Sequence, residues 1–267
     1  MYPHSAWRLL NTGHLDGAMN MAIDEAIGRA VQASLVLPTL RFFGWNPACL
    51  SIGQAQPGAE VDRAACRTLG VEVVRRPTGG RAILHIDELT YSVIAPDAEP
   101  RVVGTIVDSY RRLSEGLLRG LMLMGVPRPA AVQLRQEQRE VGPVCFEAPS
   151  NYEIVFDGKK LVGSAQMRKP GVVLQHGTLP LDGDIARISH CLVAKPDPDR
   201  VRQRATTVEA AIGRMIAFDD AARFMAQGLA ETLDLDLHVG ALIDQERAWA
   251  AELRHEKYAA DEWTYRM

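Results

Sequence analysis

Strand-like and helix-like segments follow one another in this chain without the regular alternation of a parallel-sheet protein. Short runs rich in β-branched and aromatic residues predict strands at 7–10, 39–45, 49–52, 71–74, 82–85, 89–94, 152–156, 160–166 and 172–181. Asp157-Gly158 predicts a hairpin turn, and Asn46-Pro47 predicts either a hairpin or a sheet corner. This order predicts an α+β fold with a mixed, largely antiparallel sheet flanked by helices.

Apolar residues at helical spacing predict the helices that cover this sheet. Between residues 103 and 124 they recur at steps of three and four, which predicts one long helix that ends at Gly125. An earlier helical face covers residues 19–30 and is preceded by Asp16 as its N-terminal cap. A short helix is expected at 61–69, and the chain beyond residue 185 is expected to be mostly helical.

Composition and charge limit the class of protein. The 267 residues contain no linker or low-complexity run, so we expect a single domain over 1–267, with a core at about 33–230 and a helical C-terminal tail at about 231–267. With 30 Lys+Arg against 33 Asp+Glu, nucleic acid and anionic membranes are not expected partners. No stretch approaches ~18 uninterrupted apolar residues and the amino terminus lacks a secretion signal, which predicts a cytoplasmic protein.

The four cysteines, at positions 49, 66, 145 and 191, are widely spaced. They form no CxxC pair and have no histidines at zinc-ligand spacing, so we expect neither disulfides nor a metal site. We interpret Cys49, Cys66 and Cys191 as small packing residues. Cys145 differs because it lies in an irregular segment, where functional residues concentrate.

A loop with two glycines and three arginines is the first candidate binding site. It reads Arg75-Arg76-Pro77-Thr78-Gly79-Gly80-Arg81. Glycines let a backbone approach a ligand closely and arginines bind anions, although the loop matches neither a P-loop nor GxGxxG. The alternative is a surface turn with solvated arginines. His85, at the end of the next strand, is either a structural or a catalytic histidine.

Cys145 is the second candidate, as a nucleophile. A thiol with a pKa of ~8.5 is only a few per cent ionised at pH 7, whereas a neighbouring ammonium that lowers the pKa to ~7 ionises about half of it. Lys159 and Lys160 are the candidate ammonium groups. Strand alternation sends one of them inward and the other to water, and the spacing alone leaves the choice open.

Five ordered motifs together point to a family. They are the segment 75–85 (RRPTGGRAILH), the segment 87–92 (DELTYS), Cys145, the segment 158–166 (GKKLVGSAQ) and the segment 174–177 (LQHG). In this combination the chain resembles the lipoate-protein ligase and octanoyltransferase superfamily over most of its length. It is most similar to the cysteine-dependent octanoyltransferase branch.

The resemblance implies a fold shared with biotin protein ligases and related to class II aminoacyl-tRNA synthetase catalytic domains. It also implies a protein octanoyltransferase of lipoate biosynthesis that needs no cofactor. The donor would be octanoyl-acyl carrier protein, and the acceptor a lysine of a lipoyl domain such as the glycine cleavage H protein.

The same resemblance assigns site residues. Cys145 matches the nucleophile that carries the acyl thioester, and Lys160 matches the lysine that lowers the thiol pKa. The positions that match the family's acyl pocket are Arg75, Arg76, Thr78, Gly79, Gly80, Arg81, His85, Gly163, Ser164, Ala165, His176 and Gly177.

Three other functions stay open from the sequence: an ATP-dependent lipoate-protein ligase, a lipoyl amidotransferase that works between lipoyl domains, and a noncatalytic acyl- or carrier-binding protein. The ligases commonly carry a third glycine where this chain has Arg81, and they do not need a cysteine at position 145. A basic rim that steers an acidic carrier is also predicted, from Arg75, Arg76, Arg81, Lys159, Arg168 and Lys169.

Overall fold

The computed structural model describes residues 2–132 and 153–266. Its strands are β1 (Ser5–Leu15), β2 (Thr39–Trp45), β3 (Cys49–Ile52), β4 (Glu72–Arg75), β5 (Ile83–His85), β6 (Glu88–Ala95), β7 (Ala130–Val132), β8 (Glu153–Phe156), β9 (Lys159–Lys169), β10 (Val172–Pro180) and β11 (Leu235–Val239). Its helices are α1 (Gly17–Gln32), α2 (Arg63–Thr68), α3 (Ile106–Met124), α4 (Pro198–Arg204), α5 (Val208–Ile212), α6 (Phe218–Leu233), α7 (Asp244–Leu253) and α8 (Asp261–Thr264). Short 3₁₀ segments at Gly58–Glu60 and Ile185–Cys191 and a π-helical turn at Arg254–Tyr258 complete these elements.

The large sheet is mixed and mostly antiparallel. Its strand order is β11-β1-β2-β6-β10-β9-β8-β7. The pairs β11/β1 and β1/β2 are parallel, and every other neighbouring pair in this sheet is antiparallel. A smaller sheet has the order β4-β3-β5. The predicted α+β class with a largely antiparallel sheet is therefore confirmed.

Helices cover both faces of the large sheet. On one face α3 and α6 pack over Leu40, Phe42, Tyr91 and Val93, whereas on the other face α1 and α7 pack over Phe43 and neighbours. Adjacent residues of β2 thus supply the two opposite cores, as the alternation of side chains along a strand requires. Where α3 meets α6 the backbones nearly touch, because a Cβ at Gly228 would lie 2.2 Å from the amide nitrogen of Gly120.

Local signals in the sequence are found where they were predicted. The Asp16 side chain accepts the Met19 amide hydrogen and caps α1. The long helix begins at a Thr105–Asp108 capping box and ends at Gly125, whose φ of 99° suits glycine. Asp157 and Gly158 both have positive φ in the β8–β9 turn, as a two-residue hairpin requires.

Two sheets meet at Asn46-Pro47. Because β2 lies in the large sheet and β3 lies in the small one, the segment between them is a corner, and the hairpin alternative is wrong. Cys49, Cys66 and Cys191 are buried free cysteines, which confirms their interpretation as packing residues. Cys145 lies outside the described residues.

The C-terminal residues contribute to the sheet. The tail after residue 231, which is expected to be helical, also contains the strand β11, which pairs in parallel with β1 at the sheet edge. Its five residues are too few to give a clear periodicity, and pairing with β1 supplies the hydrogen bonds that fix it as a strand. In the two ranges that the structure describes, no helix combines the length and the apolar content needed to cross a membrane.

Candidate active site

A cavity lies between the large sheet, α1 and the small sheet. The space between its walls is about 360 Å³, open mouth included. Residues of the predicted acyl pocket that line it are Arg76, His85, Gly163, Ser164, Ala165, His176 and Gly177. Residues from outside that set also line it, namely Met21, Trp45, Ser51, Ile83, Thr90 and Thr178. The fold therefore brings four of the five sequence motifs to one place, namely the segments 75–85, 87–92, 158–166 and 174–177.

Close packing of β9 against β10 explains one glycine of the motif. A Cβ at Gly177 would lie 2.6 Å from both Ser164 Oγ and Tyr91 Cε1, and 2.7 Å from the Gly163 carbonyl oxygen. Real Cβ atoms do not approach other atoms so closely. Tyr91 and Ser164 are themselves joined by a 2.7 Å hydrogen bond, and burial raises the pKa of Tyr91 to about 12. Position 177 therefore admits only glycine without displacement of its neighbours.

His85 belongs to a closed network of buried polar groups on one wall. Its Nε2 lies 2.7 Å from Ser51 Oγ and its Nδ1 lies 2.5 Å from Glu88 Oε1. The His85 ring stacks on Trp45 with centroids 4.0 Å apart. Thr90 and Thr178 donate their hydroxyl protons to the same Glu88 carboxylate. Both ring nitrogens of His85 are thus engaged by the protein itself.

His176 connects the glycine loop to α1. Its Nε2 lies 2.6 Å from Thr78 Oγ1, and its Nδ1 lies 3.2 Å from Asp24 Oδ2. Burial alone would raise the pKa of Asp24, but Arg41 at 2.6 Å and hydrogen bonds from His176 and Ser92 hold that pKa below its ordinary value. Burial lowers the pKa of His176 despite the opposing effect of Asp24. A neutral His176 therefore donates from Nδ1 to Asp24 and accepts the Thr78 hydroxyl proton at Nε2.

These two networks decide the chemical character of the cavity. Polar side chains line it, yet their donors and acceptors are used by one another, so the surface that faces the cavity is almost entirely apolar. A polar ligand would find few free partners there, whereas an aliphatic chain needs none.

Arg75 lies apart from the cavity, contrary to the sequence prediction. It was expected to line the acyl pocket, but its side chain is fully buried and does not line the cavity. Its guanidinium donates hydrogen bonds to backbone carbonyls of two distant segments, at Gly53, Gln54 and Gln56 and at Trp263, Thr264 and Arg266. In return, Trp263 Nε1 donates to the Arg75 carbonyl at 3.0 Å. Arg75 therefore ties the C-terminal segment to the base of the glycine loop.

The rest of the loop divides into buried and exposed parts. Arg76 is buried and donates to the carbonyls of Ser51, Gly79 and Arg81, which fixes the turn. The glycines at 79 and 80 are exposed, and Arg81 is paired with Glu60 at 3.3 Å. The predicted basic rim is wrong for Arg75 and Arg76, because the energy of burying a guanidinium is recovered here by backbone carbonyls.

Of the two candidate lysines, the structure places Lys160 inward. Lys160 is 2% exposed and its Nζ lies 2.7 Å from Glu153 Oε1, whereas Lys159 at the turn is partly exposed. Lys160 is not among the lining residues of the cavity. Its distance from Cys145 involves a residue outside the described ranges, so the catalytic roles of both remain predictions.

Comparison with known proteins identifies the family of the chain. The family model of the lipoyl protein ligase A/B catalytic domain matches residues 16–230. The chain belongs to this family.

Relatives and solved structures agree with that placement. The chain is 45% identical to octanoyltransferase LipM of Kyrpidia tusciae, over 97% of this chain and 98% of that protein, and 36% identical to octanoyltransferase LipM of Bacillus subtilis, over 97% and 98%. A bipartite lipoate protein ligase from Thermoplasma acidophilum, described with its E2 lipoyl domain, matches with a TM-score of 0.82 and 25% identity, over 98% of this chain and 97% of that chain. A lipoate-protein ligase A bound with ATP matches with a TM-score of 0.79 and 26% identity, over 98% and 99%.

Sequence reasoning missed several groups that shape the site of this lipoyl ligase-family chain. Asn20 and Asp24 lie four residues apart on the apolar face of α1, where two polar side chains are unexpected. Two polar residues on an apolar helix face indicate a buried polar network, since buried polar groups require partners. Asn20 and Asp24 both bind the buried Arg41. Glu88, a charged residue within a strand, carried the same kind of signal.

Within residues 2–132 and 153–266, no group of three or more His, Cys, Asp or Glu side chains is arranged to hold a metal ion.

Proposed function

We propose that this chain is a protein octanoyltransferase that acts in lipoylation and modifies a lysine of a lipoyl domain. The observation that carries this proposal is similarity along nearly the whole chain, at 36–45% identity, to proteins that bear the octanoyltransferase name. The structural neighbour described with its E2 lipoyl domain supports a lipoyl domain as the acceptor.

The cavity supports an aliphatic acyl substrate. An octanoyl group has six methylenes, and at ~0.8 kcal/mol each their burial contributes roughly 5 kcal/mol. That is sufficient to hold and orient the chain without a charged handle. Two carbons fewer would lose about 1.6 kcal/mol, or roughly fifteenfold in affinity, so cavity depth favours a chain length without enforcing it.

The reaction that we propose has two acyl transfers. In the first, the Cys145 thiolate attacks the carbonyl carbon of octanoyl-acyl carrier protein, the bond to the carrier sulfur breaks, and the carrier thiolate takes up a proton. In the second, the neutral amine of the acceptor lysine attacks the enzyme thioester, the bond to Cys145 sulfur breaks, and the amine gives up a proton. The first step is nearly isoenergetic and the second runs downhill, so no ATP is consumed.

Lys160 is the proposed partner of Cys145 in this chemistry. A buried ammonium beside the thiol favours the thiolate, and one of its N–H groups can donate to the oxyanion formed on attack. The inward position of Lys160 is compatible with both roles. Octanoyl-acyl carrier protein as donor and the glycine cleavage H protein as acceptor are further parts of the proposal.

An ATP-dependent lipoate ligase is the second candidate, because the fold matches a ligase bound with ATP at a TM-score of 0.79. The two activities leave different products. The ligase would release pyrophosphate from ATP in the presence of lipoate, whereas the transferase would form an octanoyl thioester on the protein without ATP.

Intact mass spectrometry after incubation with octanoyl-acyl carrier protein tests the proposal. The protein should gain one octanoyl adduct that hydroxylamine removes, and Cys145→Ser should gain none. Cys66→Ala is a matched control, because Cys66 is a buried packing residue, and it should keep the adduct. Lipoate-dependent pyrophosphate release without an adduct would favour the ligase, and neither signal would favour a binding protein.

A further inference from the structure

A buried ion pair joins β8 to β9 at the lysine of the motif. Lys160 Nζ lies 2.7 Å from Glu153 Oε1, and the side chains are 2% and 8% exposed. We infer that Glu153 is a positioning residue that keeps the Lys160 ammonium protonated and fixed for acyl transfer. The catalytic part of this inference rests on the proposed function.

The backbone of β9 is irregular at this lysine. β8 and β9 pair Phe156 with Lys159 and Val155 with Lys160, but then Ile154 with Val162, which leaves Leu161 as an extra residue. Such a β-bulge redirects side chains and is common beside active sites. Lys160 and Leu161, although adjacent, are both buried. The Lys160 carbonyl also accepts the Thr206 amide hydrogen at 3.0 Å, so the strand is held on both sides.

The burial of Lys160 shows why a carboxylate is needed beside it. Burial by itself favours the neutral amine, and so does any nearby positive charge. Lys159 is adjacent on β9, and α4 ends at Arg204, next to Ala205, whose backbone pairs with that of Lys160. Glu153 on β8 supplies an opposing negative charge at 2.7 Å. A charged donor makes a hydrogen bond about twice as strong as a neutral one, so loss of the proton would weaken its contact with the acyl oxyanion.

The pH dependence of transfer tests the inference. Glu153→Gln keeps the shape of the side chain and removes its charge. In single-turnover transfer from octanoyl-acyl carrier protein, the basic limb of the pH–rate profile should move down by about one to three units. At a pH above the midpoints of the basic limbs of both wild type and variant, each pH unit by which the limb moves lowers the variant's rate about tenfold. An unmoved limb, with an active wild type, would overturn the inference and leave the proposed function intact.

Lys160→Arg provides the matched background. A guanidinium stays charged without help from a carboxylate. Adding Glu153→Gln to Lys160→Arg should therefore leave the limb where Lys160→Arg alone puts it. A limb that moves equally in both backgrounds would mean that Glu153 acts on another group, against the inference.

A stability measurement separates this inference from the proposed function. In Glu153→Gln the folded protein should hold the Lys160 proton less tightly than the unfolded chain, whose lysines titrate near ~10.4. The unfolded state of the variant then binds more protons than its folded state, so the variant's free energy of unfolding relative to wild type rises with pH. The stability deficit of the variant, measured by urea unfolding, should therefore shrink between about pH 8 and 10. No acyl substrate is involved. If the deficit shrinks while wild type gains no octanoyl adduct, the proposed function fails and the protonation role of Glu153 stands.

Glu246→Gln is the control for simple loss of a buried ion pair. Glu246 binds Arg8 at 2.5 Å in a buried pair whose cation is a guanidinium instead of an amine. The loss of unfolding free energy in Glu246→Gln, relative to wild type, should stay constant with pH. An equally constant loss in Glu153→Gln would overturn the inference. If Glu153→Gln yields no folded protein, Glu153→Asp carries the same test. It keeps the charge at shorter reach, so a smaller movement in the same direction is expected and no movement would refute the role.

Discussion

Arg75→Met distinguishes a structural arginine from a substrate-binding one. Methionine retains most of the buried stem and removes the guanidinium. The guanidinium makes contacts of 2.6–3.0 Å with carbonyls of the segment 53–56 and of the C-terminal segment 263–266. The variant should therefore lose stability and release the C-terminal segment, with little direct effect on acyl binding.

The size of the effect follows from which carbonyls lose their partner. Three of the contacts, to Gly53, Gln56 and Thr264, are buried, and the other three are partly accessible to water. Each buried carbonyl left without a partner costs ~1–2 kcal/mol, whereas the accessible ones regain water. Removing a buried charge recovers part of this cost. We expect a net loss of about 3 kcal/mol in the free energy of unfolding.

Urea unfolding and hydrogen exchange measure this directly. The unfolding midpoint should fall, and amides near residues 263–266 should exchange faster than in wild type. Arg63→Gln is the control, since its ion pair with Asp261 is exposed and contributes about 0–1 kcal/mol. If Arg75→Met unfolds like wild type but binds octanoyl-acyl carrier protein much more weakly, Arg75 contacts substrate and our structural assignment is wrong.

Three further changes test the cavity. Gly177→Val should lower the free energy of unfolding by about 1–3 kcal/mol and slow adduct formation, because its Cβ would lie 2.6 Å from Ser164 Oγ. Gly28→Ala is the control and should have neither effect, since its Cβ would meet nothing closer than 4.0 Å. Ala165→Leu adds three carbons to the cavity wall and should shift preference from octanoyl to hexanoyl carrier, by about 0.8 kcal/mol per displaced methylene; unchanged selectivity would place the chain elsewhere. Because burial lowers the pKa of His176, the unfolded state takes up a proton at this histidine at a higher pH than the folded state does. The free energy of unfolding of the wild type should therefore fall by up to about 1.4 kcal/mol per pH unit as pH drops below ~6.5. His176→Gln should flatten that slope between about pH 7 and 5.5, and an equal slope in the variant would contradict this assignment.

Much of the local architecture was available from the sequence. The Asp16 cap, the helix that ends at Gly125 and the Asp157-Gly158 turn depend on residues close together in the chain, and the structure has all three. The motif positions that face the cavity were identified from the resemblance, which carries the positional pattern of a family.

Other features could not be found that way. β11 is a strand because β1 lies beside it, and its five residues alone give little periodicity. Arg75 looked like an anion-binding residue because a sequence does not show where a guanidinium is buried. Only its contacts with residues 188 or more positions away reveal its structural role.

The sequence by itself determined the class of fold, the cap of α1 and the end of the long helix, because periodicity, caps and turns act over a few residues. The resemblance to a family identified part of the cavity wall. Tertiary structure alone decided which polar groups face the ligand and which are used internally. The Asp24–His176 contact spans 152 positions, and Lys160 becomes a buried member of an ion pair only where a bulge aligns β9 with β8. Such pairings depend on how distant segments are packed, and the protonation and polarity of the site follow from that packing.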